Sequence, residues 1–177
     1  MQRVTVHDKS FEVYLDANII RERVTELGAR ISQDYAGRRP LFLAILNGSF
    51  MFASDLFKQL QIEAEICFIK LASYKGTKSS GNVVTHIGLE EDLFGRDVII
   101  LEDIVDTGHT LHHFLPTIGH RQLGSLKIAT LLHKWEATVH DLQLDYVGFR
   151  IPNKFVVGYG LDYNGLGRNL PAIYQLA

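Results

Sequence analysis

Apolar positions along the chain fall into short continuous runs separated by stretches of helical spacing. From Asp16 to Tyr35, residues Ile20, Val24, Leu27 and Ile31 recur at steps of four, three and four, which predicts an amphipathic helix. Asp16 or Asn18 can cap it, and Gly37 lies just past its end. Leu41 to Leu46 is nearly all apolar and predicts a buried strand. It stops at Asn47-Gly48-Ser49, where a second helix is expected to start and run toward Leu60. Further strands are predicted over 64–71, 83–87, 97–101, 125–132, 146–149 and 154–157. A helix is expected after Thr110, but Pro116 falls inside it and removes a backbone donor, so that helix should be kinked or short.

Apolar strands alternating with helical stretches predict an α/β fold, a mainly parallel twisted sheet covered by helices on both faces. In such sheets ligands bind beyond the carboxyl ends of the strands. Asn47-Gly48-Ser49, the segment 102–110 and Lys134 each follow a predicted strand, so three polar segments are expected at one sheet edge. Ser73 to Gly81, rich in Gly, Ser and Lys, reads as a loop between strands.

Composition narrows the possibilities. The 177 residues suit one domain, and 46% hydrophobic with 21% charged residues is an ordinary globular balance. A net charge of −2 supplies no global field for nucleic acid or an anionic membrane. Cys67 lies in an apolar run, where a buried structural thiol is expected. The start has no apolar core of a signal peptide, and no apolar run approaches the ~20 residues of a membrane span. A cytoplasmic location is therefore expected.

The chemistry concentrates between Val98 and Leu111. An apolar strand is followed by Glu102 and Asp103, then by a loop from Asp106 to Thr110, and then by a helix start. Backbone N–H groups and the helix dipole there suit a phosphate. The adjacent acids suit a ribose or a metal. The Lys-Ser/Thr ending of a nucleoside triphosphate loop is absent, which favours a sugar phosphate. A plain N-capping turn would also account for the loop taken alone.

Leu101-Glu-Asp-Ile-Val-Asp-Thr-Gly-His-Thr110 resembles the 5-phosphoribosyl diphosphate (PRPP) motif of type I phosphoribosyltransferases. Leu46-Asn-Gly-Ser-Phe50, Ser73-Tyr74, Leu131-Leu-His-Lys134 and Ile151-Pro-Asn-Lys-Phe-Val-Val-Gly-Tyr-Gly-Leu-Asp-Tyr163, followed by Arg168, are similar to the hypoxanthine (hypoxanthine-guanine) branch. The matches lie in order and span nearly the whole chain.

The resemblance implies the type I phosphoribosyltransferase fold with a small hood formed by the chain ends, and a mobile lid at about 73–84 carrying Ser73 and Tyr74. It implies transfer of 5-phosphoribosyl from PRPP to N9 of hypoxanthine or guanine, giving IMP or GMP and pyrophosphate. Asp106, Thr107, Gly108, His109 and Thr110 would hold the 5′-phosphate. Glu102 and Asp103 would hold the ribose hydroxyls and Mg²⁺, and Asp162 a second Mg²⁺. Asp106 would serve as general base near purine N7, or stabilise the positive ribose. Asn47, Gly48 and Arg168 would bind pyrophosphate, with Leu46–Asn47 as a cis peptide. Lys134 would reach O6, Phe155 would stack on the purine, and Val156 and Asp162 would complete its pocket. A homo-oligomer, dimer or tetramer, is expected.

Two positions depart from the pattern: Asn47 stands where many relatives carry Lys or Arg, and His109 lies inside the phosphate loop. His109, His112 and His113 share a helical face, but a solvated face is expected there rather than a metal site. His86, His120 and His140 carry no signal. Two other functions compete: a PRPP-binding regulator without turnover, and a phosphoribosyltransferase for another base such as xanthine. Retention of the acids, Lys134 and Arg168 disfavours the first, and Leu-His-Lys with Lys-Phe-Val-Val disfavours the second.

Overall fold

The computed structural model describes residues 3–73, 83–87 and 91–177. In chain order these form β1 (Arg3–Val6), β2 (Lys9–Leu15), α1 (Ala17–Asp34), β3 (Leu41–Leu46), α2 (Phe50–Gln59), β4 (Glu65–Ser73) and β5 (Val83–Ile87). There follow β6 (Asp97–Val105), α3 (His109–Gly119), β7 (Ser125–Lys134), β8 (Tyr146–Ile151), β9 (Val156–Val157) and β10 (Ile173–Leu176). The main sheet has the order β5-β4-β3-β6-β7-β8. All its pairs are parallel except the antiparallel edge pair β4–β5. A second, antiparallel sheet, β1-β2-β10-β9, joins the two chain ends into a small hood.

Period-2 alternation sorts the buried strands into two cores. Phe42 and Ala44 of β3 and Ile99 and Leu101 of β6 face α1 and α2, where Ile20, Val24, Leu27, Ile31, Phe52 and Leu56 meet them. Leu41, Leu43, Ile45, Val98 and Ile100 face the other way, against Leu111, Phe114 and Ile118 of α3. Strands buried on both faces read as continuous apolar runs for this reason. Asp16 caps α1, its Oδ1 accepting from the N–H groups of Asn18 (2.8 Å) and Ile19 (3.1 Å). Val6, Phe11, Val157, Ala172 and Tyr174 form the hood's own small core.

Several expectations need correction. The central strand does not stop at Leu101: it runs through both acids to Val105, because β7 stays paired with it as far as Val105↔His133. Lys134 is the last residue of β7 rather than a loop residue, since Lys134 still pairs with Ile151 of β8. The strand expected over 154–157 shrinks to Val156–Val157, the only two of these residues paired to β10. α3, by contrast, is short as expected: its 11 residues end at Gly119, three past Pro116. Cys67 is half-buried rather than buried, on a strand with one neighbour between it and the sheet edge. The lid expected at about 73–84 falls mostly outside the described residues, Tyr74 included. Ser73 ends β4 and pairs with Val83 at the start of β5.

Candidate active site

Four segments converge at the carboxyl edge of the main sheet: the turn after β3, the end of β6 with the start of α3, the end of β7, and the loop after β9. The turn after β3 opens on a cis Leu46–Asn47 peptide, as the resemblance implied. Gly48 is required because Asp103 sits against its Cα, and a Cβ there would overlap Asp103 Oδ2. From the hood side, Gly160 (φ +97°) lies so close that a Cβ on it would overlap the Gly48 carbonyl oxygen. The next residue, Ser49, is fully buried, and its Oγ has no hydrogen-bond partner among the described residues.

Glu102 is buried in the strand, with Asp103 beside it. Loss of water pushes the Glu102 carboxyl well above the usual carboxylate range, and the charge and hydrogen bond of Asp103 push the same way. Burial also raises Asp103, opposed by backbone N–H groups and by the positive charge of Arg168. A buried acid pair of hard oxygen donors with little cationic compensation is the donor chemistry that Mg²⁺ uses, through one or two carboxylates plus substrate oxygens. Among the described residues no three His, Cys, Asp or Glu side chains form a metal-holding group. Asp162 is turned instead to Arg168, 2.5 Å away, and accepts from the Gly165 N–H at 2.7 Å. Arg168 Nη1 also donates to the Gly160 carbonyl over 2.6 Å, which ties the loop after β9 together.

The chain then turns at Gly108, the N-cap of α3, in the left-handed region (φ 81°) that glycine tolerates. No side chain caps α3, contrary to a plain capping turn; the His109 N–H makes only a long 3.4 Å contact with Thr107 Oγ1. The result is a hollow of about 80 Å³ lined by Glu102 and by residues 104–111, with the helix's first N–H groups around it.

Lys134, at the end of the neighbouring strand, donates from Nζ to Asp106 Oδ2 over 2.7 Å. Its side chain is 9% exposed, whereas that of Asp106 is 47% exposed. Phe155, ahead of β9, is 44% exposed, with Phe11 and Tyr163 beside its ring at 6.0 and 5.6 Å. Val156 is buried and paired with Gln175.

Sequence reasoning missed a brace on the phosphate-sized hollow. The segment after β7 touches four consecutive loop residues. Thr138 Oγ1 donates to the Asp106 carbonyl (2.7 Å) and the Val139 N–H to the Thr107 carbonyl (3.1 Å). Leu142 lies against Gly108, and His140 Nε2 is 2.7 Å from His109 Nδ1. Nothing in the sequence marks Thr138 or His140, because their partners lie 31 or 32 residues away. Another missed contact is that of Tyr159, whose hydroxyl donates to Asp55 Oδ2 over 2.7 Å and fixes the hood loop to α2.

This sheet edge and its phosphate-sized hollow are those of a phosphoribosyltransferase: the phosphoribosyl transferase domain profile matches residues 10–164, and the chain belongs to that family. It is 43% identical over 162 residues to the hypoxanthine-guanine phosphoribosyltransferase of Streptococcus agalactiae serotype V, covering 91% of this chain and 89% of that protein. The corresponding Streptococcus pneumoniae R6 enzyme is also 43% identical, over 92% of this chain and 91% of its own. Among solved structures, a hypoxanthine phosphoribosyltransferase from Staphylococcus aureus superposes with a TM-score of 0.89 at 42% identity, covering 94% and 91% of the two chains. A hypoxanthine-guanine phosphoribosyltransferase from Bacillus anthracis gives 0.88 at 36%, covering 94% and 98%. Among the described residues no helix is long and apolar enough to cross a membrane.

Proposed function

We propose that this chain is a purine-salvage enzyme that moves 5-phosphoribosyl from PRPP to N9 of hypoxanthine, and also of guanine, releasing pyrophosphate. The observation that carries the reading is the Lys134–Asp106 pair standing beside the uncapped start of α3. One side chain can read a 6-oxo group and the other can take a proton, next to a place for the 5′-phosphate.

The backbone of Asp106–Thr110 and the hydroxyls of Thr107 and Thr110 hold the 5′-phosphate. Glu102 and Asp103 face the ribose hydroxyls and would supply oxygen ligands to Mg²⁺, and Asp162 would be a further ligand in place of its pairing with Arg168. Bound Mg²⁺ supplies positive charge that offsets the charge developing on departing pyrophosphate. Asn47 and Gly48 offer N–H donors to that leaving group, and Arg168 adds charge; Asn47 itself carries none. The bond from the anomeric carbon to pyrophosphate oxygen breaks as the bond to N9 forms, and the proton on N7 passes to Asp106. Lys134 has three donors, so Nζ can hold Asp106 and the purine O6 together. An amino group at that position offers no acceptor, which disfavours adenine. Phe155 stacks on the base and the Val156 backbone meets its edge. Ser73 and Tyr74 belong to the lid that excludes water from the activated ribose.

A cytoplasmic location and a homo-oligomer, dimer or tetramer, complete the proposal. Exposed Phe50 and Trp135 are apolar surface such an assembly would cover. The test is incubation with PRPP, Mg²⁺ and hypoxanthine, with IMP and pyrophosphate measured together. Equal amounts of the two are expected. PRPP binding without either product would overturn the reading in favour of a regulator.

A further inference from the structure

His140 is placed where the 5′-phosphate hollow meets the segment that braces it. Its Nε2 is 2.7 Å from Nδ1 of His109, the first helical residue of α3 and part of the hollow's lining. Its ring lies flat on His112, with centroids 3.9 Å apart and planes 10° from parallel. His113 approaches His109 and His112 at 6.4 and 5.4 Å. The face of α3 is solvated, as expected, with His109, His112 and His113 exposed, and a fourth imidazole from the segment after β7 stacks on it.

An N–H···N bridge between two imidazoles needs one donor and one acceptor, so it holds with one proton shared between the rings. One added proton can sit on the outer nitrogen of the donor ring and leave the bridge intact as an imidazolium–imidazole pair; only a positive charge on both rings turns the acceptor nitrogen into a donor and breaks it. In the free protein the surroundings disfavour added protons. His140 is pushed below the usual histidine value by loss of water and by the charges of His112, His109 and His113. A phosphate dianion in the hollow reverses this balance, because an imidazolium–imidazole pair then has an anion beside it.

We propose that His140 is a positioning residue for PRPP: through His109 it braces the 5′-phosphate loop, and the His109–His140 pair takes up a proton when a phosphate occupies the hollow. The proposal rests on the assignment of residues 106–110 as the 5′-phosphate site. Thr138 and Val139 hold the backbone of the same loop, so the brace has a fixed backbone part and a protonatable tip.

Two measurements test it. In the first, ribose 5-phosphate is titrated into isotope-labelled protein, following the amides of Thr107–Thr110 and the imidazoles together by NMR. The amides should shift on binding. The protonation midpoints of His109 and His140 should rise by about one pH unit, while His120, at the far end of α3, stays put. Amides that shift with unchanged midpoints would overturn the proposal and leave the phosphate site standing. Amides that do not shift would overturn the phosphate site itself.

In the second, His140→Gln and His140→Ala are compared with wild type in steady-state kinetics at pH 6.5 and pH 8. KM for PRPP should rise about tenfold in both variants at pH 6.5, the loss expected for one charge-assisted hydrogen bond, and far less at pH 8, with kcat little changed. Substrate titration is common to all three proteins and cancels in the comparison. An equal rise at both pH values would overturn the proton uptake, and a fall in kcat alone would overturn the positioning role.

Discussion

Lys134 Nζ and Asp106 Oδ2 lie 2.7 Å apart, one at the end of β7 and the other on the loop leaving β6. Adjacent parallel strands with matched register carry these two groups to the same edge. The pairing keeps a nearly buried ammonium satisfied. Asp106→Asn should keep an acceptor for Lys134 while removing the base. The expected result is a fall in kcat of about 10²–10⁴-fold with KM for PRPP near wild type, measured by steady-state kinetics. Unchanged turnover would remove Asp106 from the chemistry.

Glu102 is held protonated more strongly in the folded chain than in the unfolded one, because it is buried beside Asp103. The sign follows: an acid with a raised folded-state value costs stability as pH rises from its unfolded value through the folded one. Glu102→Gln has no charge to bury. Its Tm without Mg²⁺ should exceed that of wild type at pH 8, with a smaller difference at pH 4, in calorimetric scans. The same variant should lose most Mg²⁺-dependent turnover. A lower Tm at pH 8 would contradict the burial argument.

Gly48 and Gly160 should respond differently to alanine. At Gly48 the obstacle is the Asp103 carboxylate, a side chain that can swing aside. Gly48→Ala should therefore keep most of its stability while KM for PRPP rises about tenfold or more. At Gly160 the obstacle is backbone and φ is +97°. Gly160→Ala should lose about 1–3 kcal/mol in urea unfolding. Equal stability losses would show that the two close approaches are not of these kinds.

His133 sits beside Lys134 with its Nδ1 buried and without a hydrogen-bond partner among the described residues. Burial, with help from Arg150, holds it below its ordinary value of 6.5. A base whose folded-state value is lowered contributes stability that is complete above the unfolded value and is lost as pH falls from there through the folded one. His133→Gln should flatten the decline in Tm between pH 7 and pH 5. An unchanged slope would mean that other groups govern it.

Elements buried on both faces were legible in the sequence. β3 has its predicted bounds, and α1 buries the four residues its spacing picked out. β6 was cut short because Glu102 and Asp103 look like loop residues when their partners on β7 cannot be seen. β1, β2 and β10 are short and owe their existence to pairing between the chain's two ends, as in Leu176↔Phe11. Within the site, residues next to one another in sequence, such as Asp106 to Thr110, were found together. Contacts made across the sheet edge were not: Gly160 on Gly48, and Thr138 and His140 on the loop after β6, depend on strand order, which local patterns do not encode. Asp162 was missed for a different reason: its type suits a metal, while Arg168, six residues on in the same loop, already occupies it.

Lys134 is proposed to select a 6-oxopurine as the acceptor of ribose 5-phosphate. The most direct test supplies the wild-type protein with PRPP, Mg²⁺ and, in separate reactions, hypoxanthine, guanine, xanthine and adenine. Products are separated chromatographically and kcat/KM is taken for each base. IMP and GMP should form readily, with adenine used at least about 10³-fold less well, as expected where a buried donor would be left unpaired. AMP as the main product would remove Lys134 as the selector, and no monophosphate from any base would remove the transferase reading itself.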